Sequence, residues 1–175
     1  MPEKKIKIVL DADVIIHFSK GGKLSLLPKI FPEYQFLVLD VVKREIPFLF
    51  MAELDKLISR DKTVTEEQFG NSSGEIREFS RLTSVNGPGL GKGESACMVY
   101  CLYHNDVLGS SNLLDICKYC EEHGITYLTT IDFLYYAIRR KLMTQSEADD
   151  FISKVVAAGS RLPKTDFDTY FCNKI

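Results

Sequence analysis

The sequence lacks any apolar run that could cross a membrane. No stretch comes near the roughly 20 consecutive uncharged residues that a membrane-spanning helix needs. The N-terminal residues, MPEKKIKIVLDAD, pass from a basic start directly into an acidic strand, without the small-residue cleavage site of a secretory leader. These absences predict a cytoplasmic protein with no membrane partner.

Excess charge of one sign is also missing, since 22 basic and 24 acidic residues give a formal net charge of −2. This balance excludes a chain that attracts nucleic acid through its overall charge. A phosphate-bearing substrate would therefore have to be held by a local basic patch or by a bound cation.

Zinc and redox motifs are absent, although the chain has five cysteines. Cys117 and Cys120 form a CxxC, but no second Cys or His pair accompanies it, and it lies in the middle of a predicted helix. The odd number of cysteines and their helical spacing instead predict reduced thiols packed in a core. The residues concerned are Cys97, Cys101, Cys117, Cys120 and Cys172.

A length of 175 residues, 45% of them hydrophobic, predicts one compact domain over residues 1–175. Strand-like runs alternate with helical patterns, which favours a parallel sheet. We expect an α/β fold of three layers, in which a central, mostly parallel sheet carries helices on both faces. The expected elements are the strands KIKIVLD, QFLVLD, 107–111 and 125–128, and the later helices 93–104, 112–123, 130–141 and 144–158.

Three stretches fit this alternation less simply. Residues 60–92 are polar and glycine-bearing, with helical patterns at TEEQF and GEIREFSRL, and predict a peripheral helical insertion that ends in a flexible loop. Pro47 is expected to kink or divide the helical stretch around it. The tail RLPKTDFDTYFCNKI is expected either to return as an edge strand or to wrap the surface.

Two aspartates stand inside the apolar run IVLDADVIIHF, residues 8–18. Burying a carboxylate without a partner costs several kcal/mol, so a structural or chemical reason is needed. By position Asp11 ends the first strand, and Asp13 is expected to cap a helix that begins near Val14. Because ligands bind beyond the carboxyl ends of parallel strands, Asp11 is predicted to lie in a functional site.

Other polar residues are predicted to reach the same rim of the sheet. Ser111 and Asn112 stand at the end of the strand 107–111, and Asp115 lies one helical turn after Asn112. Glu45 is expected on the helix after the second strand, and Glu94 in the first turn after a glycine-bearing loop. Together with Asp11 these residues bring four acids from four separate segments.

Several carboxylates that share one site repel one another unless their pKa values rise or a divalent cation binds. Oxygen ligands without His or Cys partners suit Mg²⁺ or Mn²⁺ rather than zinc. Such an ion positions a water molecule, lowers the pKa of that water and stabilises charge on a phosphoryl group. The acids therefore indicate chemistry of the nuclease type.

The order of these motifs resembles the PIN-domain family of small metal-dependent ribonucleases, which includes toxins of toxin–antitoxin pairs. The likeness covers nearly the whole chain outside residues 60–92 and lies in the order of the segments, since none of them is specific alone. They are IVLDADVII, the glutamate after the second strand, the G-x-G-E-S-A helix start and VLGSSNLLDI.

The resemblance implies a PIN-like domain and an Mg²⁺- or Mn²⁺-dependent endoribonuclease, with RNA as substrate and an antitoxin protein as a partner. Its catalytic acids would be Asp11, Glu45, Glu94 and Asp115. Of these, Asp11, Glu94 and Asp115 would hold the metal, and Glu45 would help orient the attacking water. Asp13, Ser111 and Asn112 would contact the substrate or support the metal ligands.

Two features depart from the family pattern and keep other functions open. Asp13 stands where members commonly have Asn, Ser or Thr, so Asp11-Ala12-Asp13 also resembles the DxD of haloacid-dehalogenase-like phosphatases, with a nucleophile and a general acid. Ser110, Ser111 and Asn112 stand where many members have an acid or Thr-Arg-Asn. This second departure leaves open a degenerate PIN-like module that binds RNA or protein without cutting.

Aromatic residues at helical spacings are expected mainly in the core. Any of them left exposed would provide a face for a homodimer, because small domains of this architecture often associate through exposed apolar helices. The residues concerned are Tyr100, Tyr103, Phe133, Tyr135 and Tyr136.

Overall fold

The computed structural model describes residues 5–175 and has a five-stranded sheet in which every pairing is parallel. The strands are β1 (Lys7–Leu10), β2 (Gln35–Leu39), β3 (Val64–Glu67), β4 (Val107–Gly109) and β5 (Tyr127–Leu128). Their spatial order is β3-β2-β1-β4-β5. The predicted α/β class, with a parallel sheet between helical layers, is therefore confirmed.

Helices cover both faces of the sheet. They are α1 (Ala12–Lys20), α2 (Leu27–Ile30), α3 (Asp40–Lys43), α4 (Phe48–Asp55), α5 (Ser73–Thr83), α6 (Lys92–His104), α7 (Leu113–His123), α8 (Thr130–Arg139) and α9 (Gln145–Ala157). A 3₁₀ turn (Leu24–Leu26) precedes α2, and a π-helical turn (Lys56–Arg60) continues α4. On one side α1, α2, α4, α8 and α9 pack against one another, and on the other α6 packs against α3, α5 and α7.

The central strands read as continuous apolar runs because both of their faces are covered. Ile8, Val9 and Leu10 of β1 are at most 1% exposed, and the residues that pair with them from β2 and β4 are also buried. Phe133 of α8 packs its ring against those of Phe18, Phe31 and Phe36. Packing in this core fixes where each strand ends relative to its neighbours in the sheet.

The chain reverses its direction of travel across the sheet between β1 and β4. It proceeds from β1 outward to β2 and β3, then returns through α5 and α6 to place β4 on the other side of β1. Loops that follow two such strands turn to opposite sides and leave a crevice between them, which is where open α/β sheets bind ligands. Asp11 follows β1 and Ser110 follows β4, so both stand at this crevice.

The polar segment at residues 60–92 contributes to the sheet, so the prediction of a helix at TEEQF is wrong. Val64 and Thr65 are β-branched and pair with Phe36 and Leu37 of β2, which makes β3 an edge strand. Its acids are balanced by lysines, since Lys7 Nζ lies 2.6 Å from Glu67 Oε1. The predicted helix at GEIREFSRL is confirmed as α5.

Three further predictions concern Pro47, Glu45 and the C-terminal tail. Pro47 divides the stretch after β2, because α3 ends at Lys43 and α4 begins at Phe48. Glu45 consequently lies in the turn after α3 rather than on a helix. The tail forms no strand within the described residues and packs on α8, where Tyr136 Oη donates to the carbonyl oxygen of Ile175 over 2.8 Å.

Thiols and aromatic residues largely follow expectation. All five cysteines are free, and only Cys117 is not fully buried. Tyr100, Phe133 and Tyr135 are buried, whereas Tyr103 is 49% exposed. Among residues 5–175 no helix has both the length and the apolarity to span a membrane, and the first four residues of the N-terminal segment lie outside the described part.

Candidate active site

Asp11 continues the pairing of β1 with β4 by one residue and then begins α1. Its backbone N–H donates to the carbonyl oxygen of Gly109 over 2.8 Å. Helix α1 begins at Ala12, with Asp11 rather than Asp13 as its N-cap, so the expected start near Val14 is two residues late. Parallel pairing thus places the Asp11 carboxylate at the end of β1, between two strand ends.

The Asp11 carboxylate is 2% exposed and accepts only neutral donors. Oδ1 accepts from the Ala12 N–H over 2.8 Å, and Oδ2 accepts from the Ser110 hydroxyl over 3.0 Å. Burial raises the pKa of Asp11 well above its usual value, and the negative charges of Asp13 and Glu94 raise it further. The group is therefore desolvated, and no basic side chain from residue 5 onward compensates its charge.

Asp13 lies on the first turn of α1 and holds the loop after β4. Oδ1 accepts from the Val14 N–H over 2.6 Å, and Oδ2 accepts from the Ser111 N–H over 2.7 Å. Burial raises the pKa of Asp13 to about 6, against the effect of these N–H donors. Asp13 thereby links α1 to the same loop that Asp11 contacts through Ser110.

Glu94 and Asp115 meet across the side-chain amide of Asn112. Asn112 Nδ2 donates to Glu94 Oε1 and, over 2.8 Å, to Asp115 Oδ2. Glu94 stands in the first turn of α6 and Asp115 in the first turn of α7, where helix dipoles favour negative charge. Burial raises the pKa of Glu94, and the neighbouring charges of Asp115 and Asp13 add to this effect.

Glu45 contacts the start of α6 from the turn after α3. Its Oε1 accepts from the Gly93 N–H over 2.9 Å, which satisfies one of the unpaired donors at the helix N-terminus. A Cβ at position 93 would collide with the Glu45 carboxylate, so only glycine allows this approach. Glu45 is exposed, and its contact fixes the helix turn that carries Glu94.

Ser110, Thr130 and His17 complete the polar network beneath the acids, and the sequence prediction did not include them as site residues. Ser111 Oγ accepts from the Thr130 N–H over 2.8 Å and donates to Thr130 Oγ1 over 2.9 Å. Thr130 Oγ1 lies 2.8 Å from His17 Nδ1. Burial lowers the pKa of His17 to about 4, so the imidazole is neutral at pH 7. The one available signal for Ser110 was its place near the end of the predicted strand 107–111.

Asp132 lies near the rim but has a different set of partners. It forms a capping box with Thr129 at the start of α8. It also accepts from Tyr170 Oη over 2.6 Å and from Lys174 Nζ over 2.8 Å. Burial alone would raise the pKa of Asp132, but Lys174 and the other donors hold it below its usual value.

The predicted site residues therefore form one rim with a common property. Within residues 5–175 none of the rim carboxylates forms an ion pair with lysine, arginine or histidine. The rim carboxylates are Asp11, Asp13, Glu45, Glu94 and Asp115.

These acids are not arranged as a ready-made metal cage in the described part of the chain, where no three His, Cys, Asp or Glu side chains form such a group. They meet as two pairs, Asp11 with Asp13 and Glu94 with Asp115, which also influence each other electrostatically. The donor atoms are all oxygens, and each Asp11 oxygen accepts a single hydrogen bond. Carboxylate and amide oxygens are the ligand atoms that a hard divalent cation such as Mg²⁺ or Mn²⁺ prefers.

Comparison with known proteins adds no assignment to this geometry. No protein-family model matches the chain, and no curated protein matches it. The rim of carboxylates at the β1–β4 crevice is therefore the feature on which a functional assignment has to stand.

Proposed function

We propose that this chain is an Mg²⁺- or Mn²⁺-dependent endoribonuclease of the PIN type. The observation that carries the proposal is the convergence at the β1–β4 crevice of five carboxylates that have no basic partner in the described part of the chain. Keeping such groups ionised in one place is costly, and a bound divalent cation relieves that cost. Their position beyond the carboxyl ends of the strands is where ligands reach an open parallel sheet.

Each acid would have a distinct role in hydrolysis of the phosphodiester bond. Asp11, Glu94 and Asp115 would hold the metal, which when bound supplies an activated water and charge stabilisation at the phosphoryl group. Asn112 keeps Glu94 and Asp115 side by side, and Ser110 orients Asp11.

Glu45 and Asp13 would act from the edges of the site. Glu45 lies against the Gly93 N–H and would help orient the attacking water. Asp13 has both oxygens bonded to backbone N–H groups, an arrangement that suits a residue positioning the β4 loop. The same arrangement makes Asp13 a poor candidate for the freely accessible general acid of a dehalogenase-like phosphatase.

RNA cleavage by the purified chain tests the proposal. A mixed-sequence single-stranded RNA is incubated with the wild type in Mn²⁺, in Mg²⁺ and in EDTA, alongside Asp11→Asn and Asp13→Asn. We expect metal-dependent cutting that falls at least 100-fold in Asp11→Asn and is largely kept in Asp13→Asn. Asp149→Asn, an exposed aspartate on α9, is the matched control and should behave like the wild type.

Thermal unfolding and a phosphatase assay separate the alternatives. A metal-induced rise in Tm without RNA cleavage, together with phosphate release from p-nitrophenyl phosphate that Asp13→Asn abolishes, would replace the nuclease by the phosphatase. Absence of both cleavage and a metal-induced shift would indicate a binding module instead.

The toxin role that the PIN resemblance implies would add a protein partner. An antitoxin would have to cover the carboxylate rim or donate a group to it. Co-expression with the product of a neighbouring small reading frame, followed by co-purification and loss of RNA cleavage, would test that partner. Cleavage that persists in the complex would argue against it.

A further inference from the structure

A cleft of about 570 Å³ opens next to the carboxylate rim and is built largely by the C-terminal tail. Ser111 belongs to both features, since its N–H binds Asp13 and the residue also lines the cleft. The opposite wall comes from residues 161–174, which the sequence prediction left as a tail without a function.

The cleft carries positive charge that the rim lacks. Arg161 and Lys164 line it, are exposed, and have no acidic partner within residues 5–175. Asp166 is the carboxylate of this lining, and its Oδ1 accepts from the Asp168 N–H. Two unpaired cations beside an anionic rim form the local basic patch that a phosphate-bearing substrate of this acidic chain requires.

Aromatic and apolar groups line the same cleft. The ring of Tyr127 lies under Lys174, whose Nζ is 4.4 Å from the ring centroid, and Tyr170 stands nearby on the tail. Leu113 and Ile131 add apolar surface. Rings next to cations are the combination that binds a nucleotide, because the base stacks while the phosphate meets the positive charge.

The tail is held in this position by a buried carboxylate. Asp132 is fully buried and accepts hydrogen bonds from Tyr170 and Lys174, at the start of the same helix whose Thr130 contacts Ser111. The wall of the cleft and the loop of the rim are therefore both attached to the first turn of α8. This shared attachment gives the cleft a defined position relative to Asp11.

Two other surface features lack this combination of groups. A larger hollow of about 910 Å³ lies on the other side of the tail against α9, and its lining has Lys164 as the one cation beside Asp149 and Asp166. The exposed Phe48 and Leu49 at the start of α4 form an apolar pair that presents no charge of its own to a phosphate. Neither feature indicates a phosphate-bearing ligand.

We propose that the cleft binds one unpaired nucleotide of a single-stranded RNA adjacent to the bond that is cut. The base would lie against Tyr127 and Tyr170, and its phosphate would meet Arg161 and Lys164. An unpaired nucleotide is required because a base within a duplex cannot leave its stack without an energetic cost. The choice of RNA rests on the proposed nuclease function, whereas the nucleotide chemistry rests on the cleft alone.

Binding of a labelled oligonucleotide tests this assignment without relying on cleavage. A fluorescein-labelled eight-nucleotide RNA of mixed sequence is titrated with the full chain, in EDTA and in Ca²⁺, and followed by fluorescence anisotropy. We expect Arg161→Ala/Lys164→Ala to weaken binding about tenfold and Tyr127→Leu to weaken it by a similar factor. The same RNA annealed to its complement should bind at least tenfold more weakly than the single strand.

Lys29→Ala/Arg139→Ala is the matched control. Both residues are exposed and lack acidic partners within residues 5–175, and Arg139 ends α8 about 15 Å from the rim where the helix begins. This variant should bind within twofold of the wild type. An equal loss in the control, an unaffected Arg161→Ala/Lys164→Ala variant, duplex binding as tight as that of the single strand, or no binding by the wild type in either buffer would each overturn the assignment.

The two proposals fail in different ways. If the wild type cleaves RNA in a metal-dependent way and Arg161→Ala/Lys164→Ala leaves the KM of cleavage unchanged, the proposed nucleotide site is wrong and the proposed nuclease function stands. Cleft-dependent binding of single-stranded RNA without any cleavage would support the nucleotide site and overturn the nuclease.

Discussion

The Ser110 hydroxyl donates a hydrogen bond to Asp11 Oδ2 over 3.0 Å and so joins the ends of the adjacent strands β1 and β4. Both residues are buried, and neither has a charged partner in the described part of the chain. The bond favours the ionised form of Asp11, because it opposes the effect of burial on the pKa of that carboxylate.

Ser110→Ala should raise the pKa of Asp11 further and reduce metal-dependent RNA cleavage about tenfold near pH 6. The physical reason is the loss of a hydrogen bond to a charged group, worth roughly 1.5–3 kcal/mol. The rate–pH profile of cleavage should shift to higher pH, with a smaller deficit at pH 8. Ser153→Ala, whose hydroxyl donates within its own helix, should leave the profile unchanged. An unshifted profile in Ser110→Ala would show that the bond does not tune Asp11.

Asp11→Asn should stabilise the metal-free protein while it abolishes activity. The folded-state pKa of Asp11 is raised, so the folded chain binds the proton more tightly and loses stability as pH rises from the unfolded value of 3.8 through the folded one. Asparagine keeps the shape, accepts from the Ala12 N–H and carries no charge. We expect a gain of roughly 1–2 kcal/mol at pH 8 and a smaller one at pH 5, from urea unfolding in EDTA. The same gain at both pH values would contradict the assigned ionisation.

Gly93→Ala should displace Glu45 and weaken RNA cleavage, because the new Cβ would collide with the Glu45 carboxylate. Glu45→Gln keeps an oxygen that can accept from the Gly93 N–H and removes only the charge. If Glu45 orients the attacking water through its charge, both variants lose activity. If it only fixes the start of α6, Gly93→Ala alone is impaired. Steady-state cleavage rates, compared with metal-induced Tm shifts, distinguish these roles.

Asp132→Asn should destabilise the chain by about 1–3 kcal/mol at pH 7, since it removes the charged acceptor for Lys174. The folded-state pKa of Asp132 is lowered, so its stabilisation is present above the unfolded value of 3.8 and is lost as pH falls through the lower folded value. The difference between variant and wild type should therefore shrink towards pH 3. Asp150→Asn, an exposed partner of Lys154, should change stability by less than about 0.5 kcal/mol. Urea unfolding at pH 3 and pH 7 measures both, and a constant difference would exclude ionised Asp132 as the anchor of the tail.

The sequence could predict that the acids lie at one rim of the sheet, because this placement depends on local patterns and on a general property of parallel sheets. The apolar run before Asp11 predicts a strand that ends there, and the glycine before Glu94 predicts the start of a helix. Both residues are therefore expected at the ends of secondary-structure elements, whatever the order of the strands in the sheet. Asn112 was expected to face Asp115 from one helical turn away, and it donates to that carboxylate. The sequence alone did not indicate that the same amide would also bind Glu94 from another helix.

What the sequence by itself determined was the alternation of strands and helices, and with it the rim on which the acids stand. Tertiary structure decided the partners: the first three residues of TEEQF became part of β3 because β2 offered them an open edge, and Lys7 and Lys43 balance the acids Glu67 and Glu66. It also decided that Ser110 binds Asp11 and that the tail folds onto Asp132 to form a cleft. These contacts join residues that are far apart in the chain. Their energies depend on burial and on charged groups from other segments of the chain, which no local sequence pattern encodes.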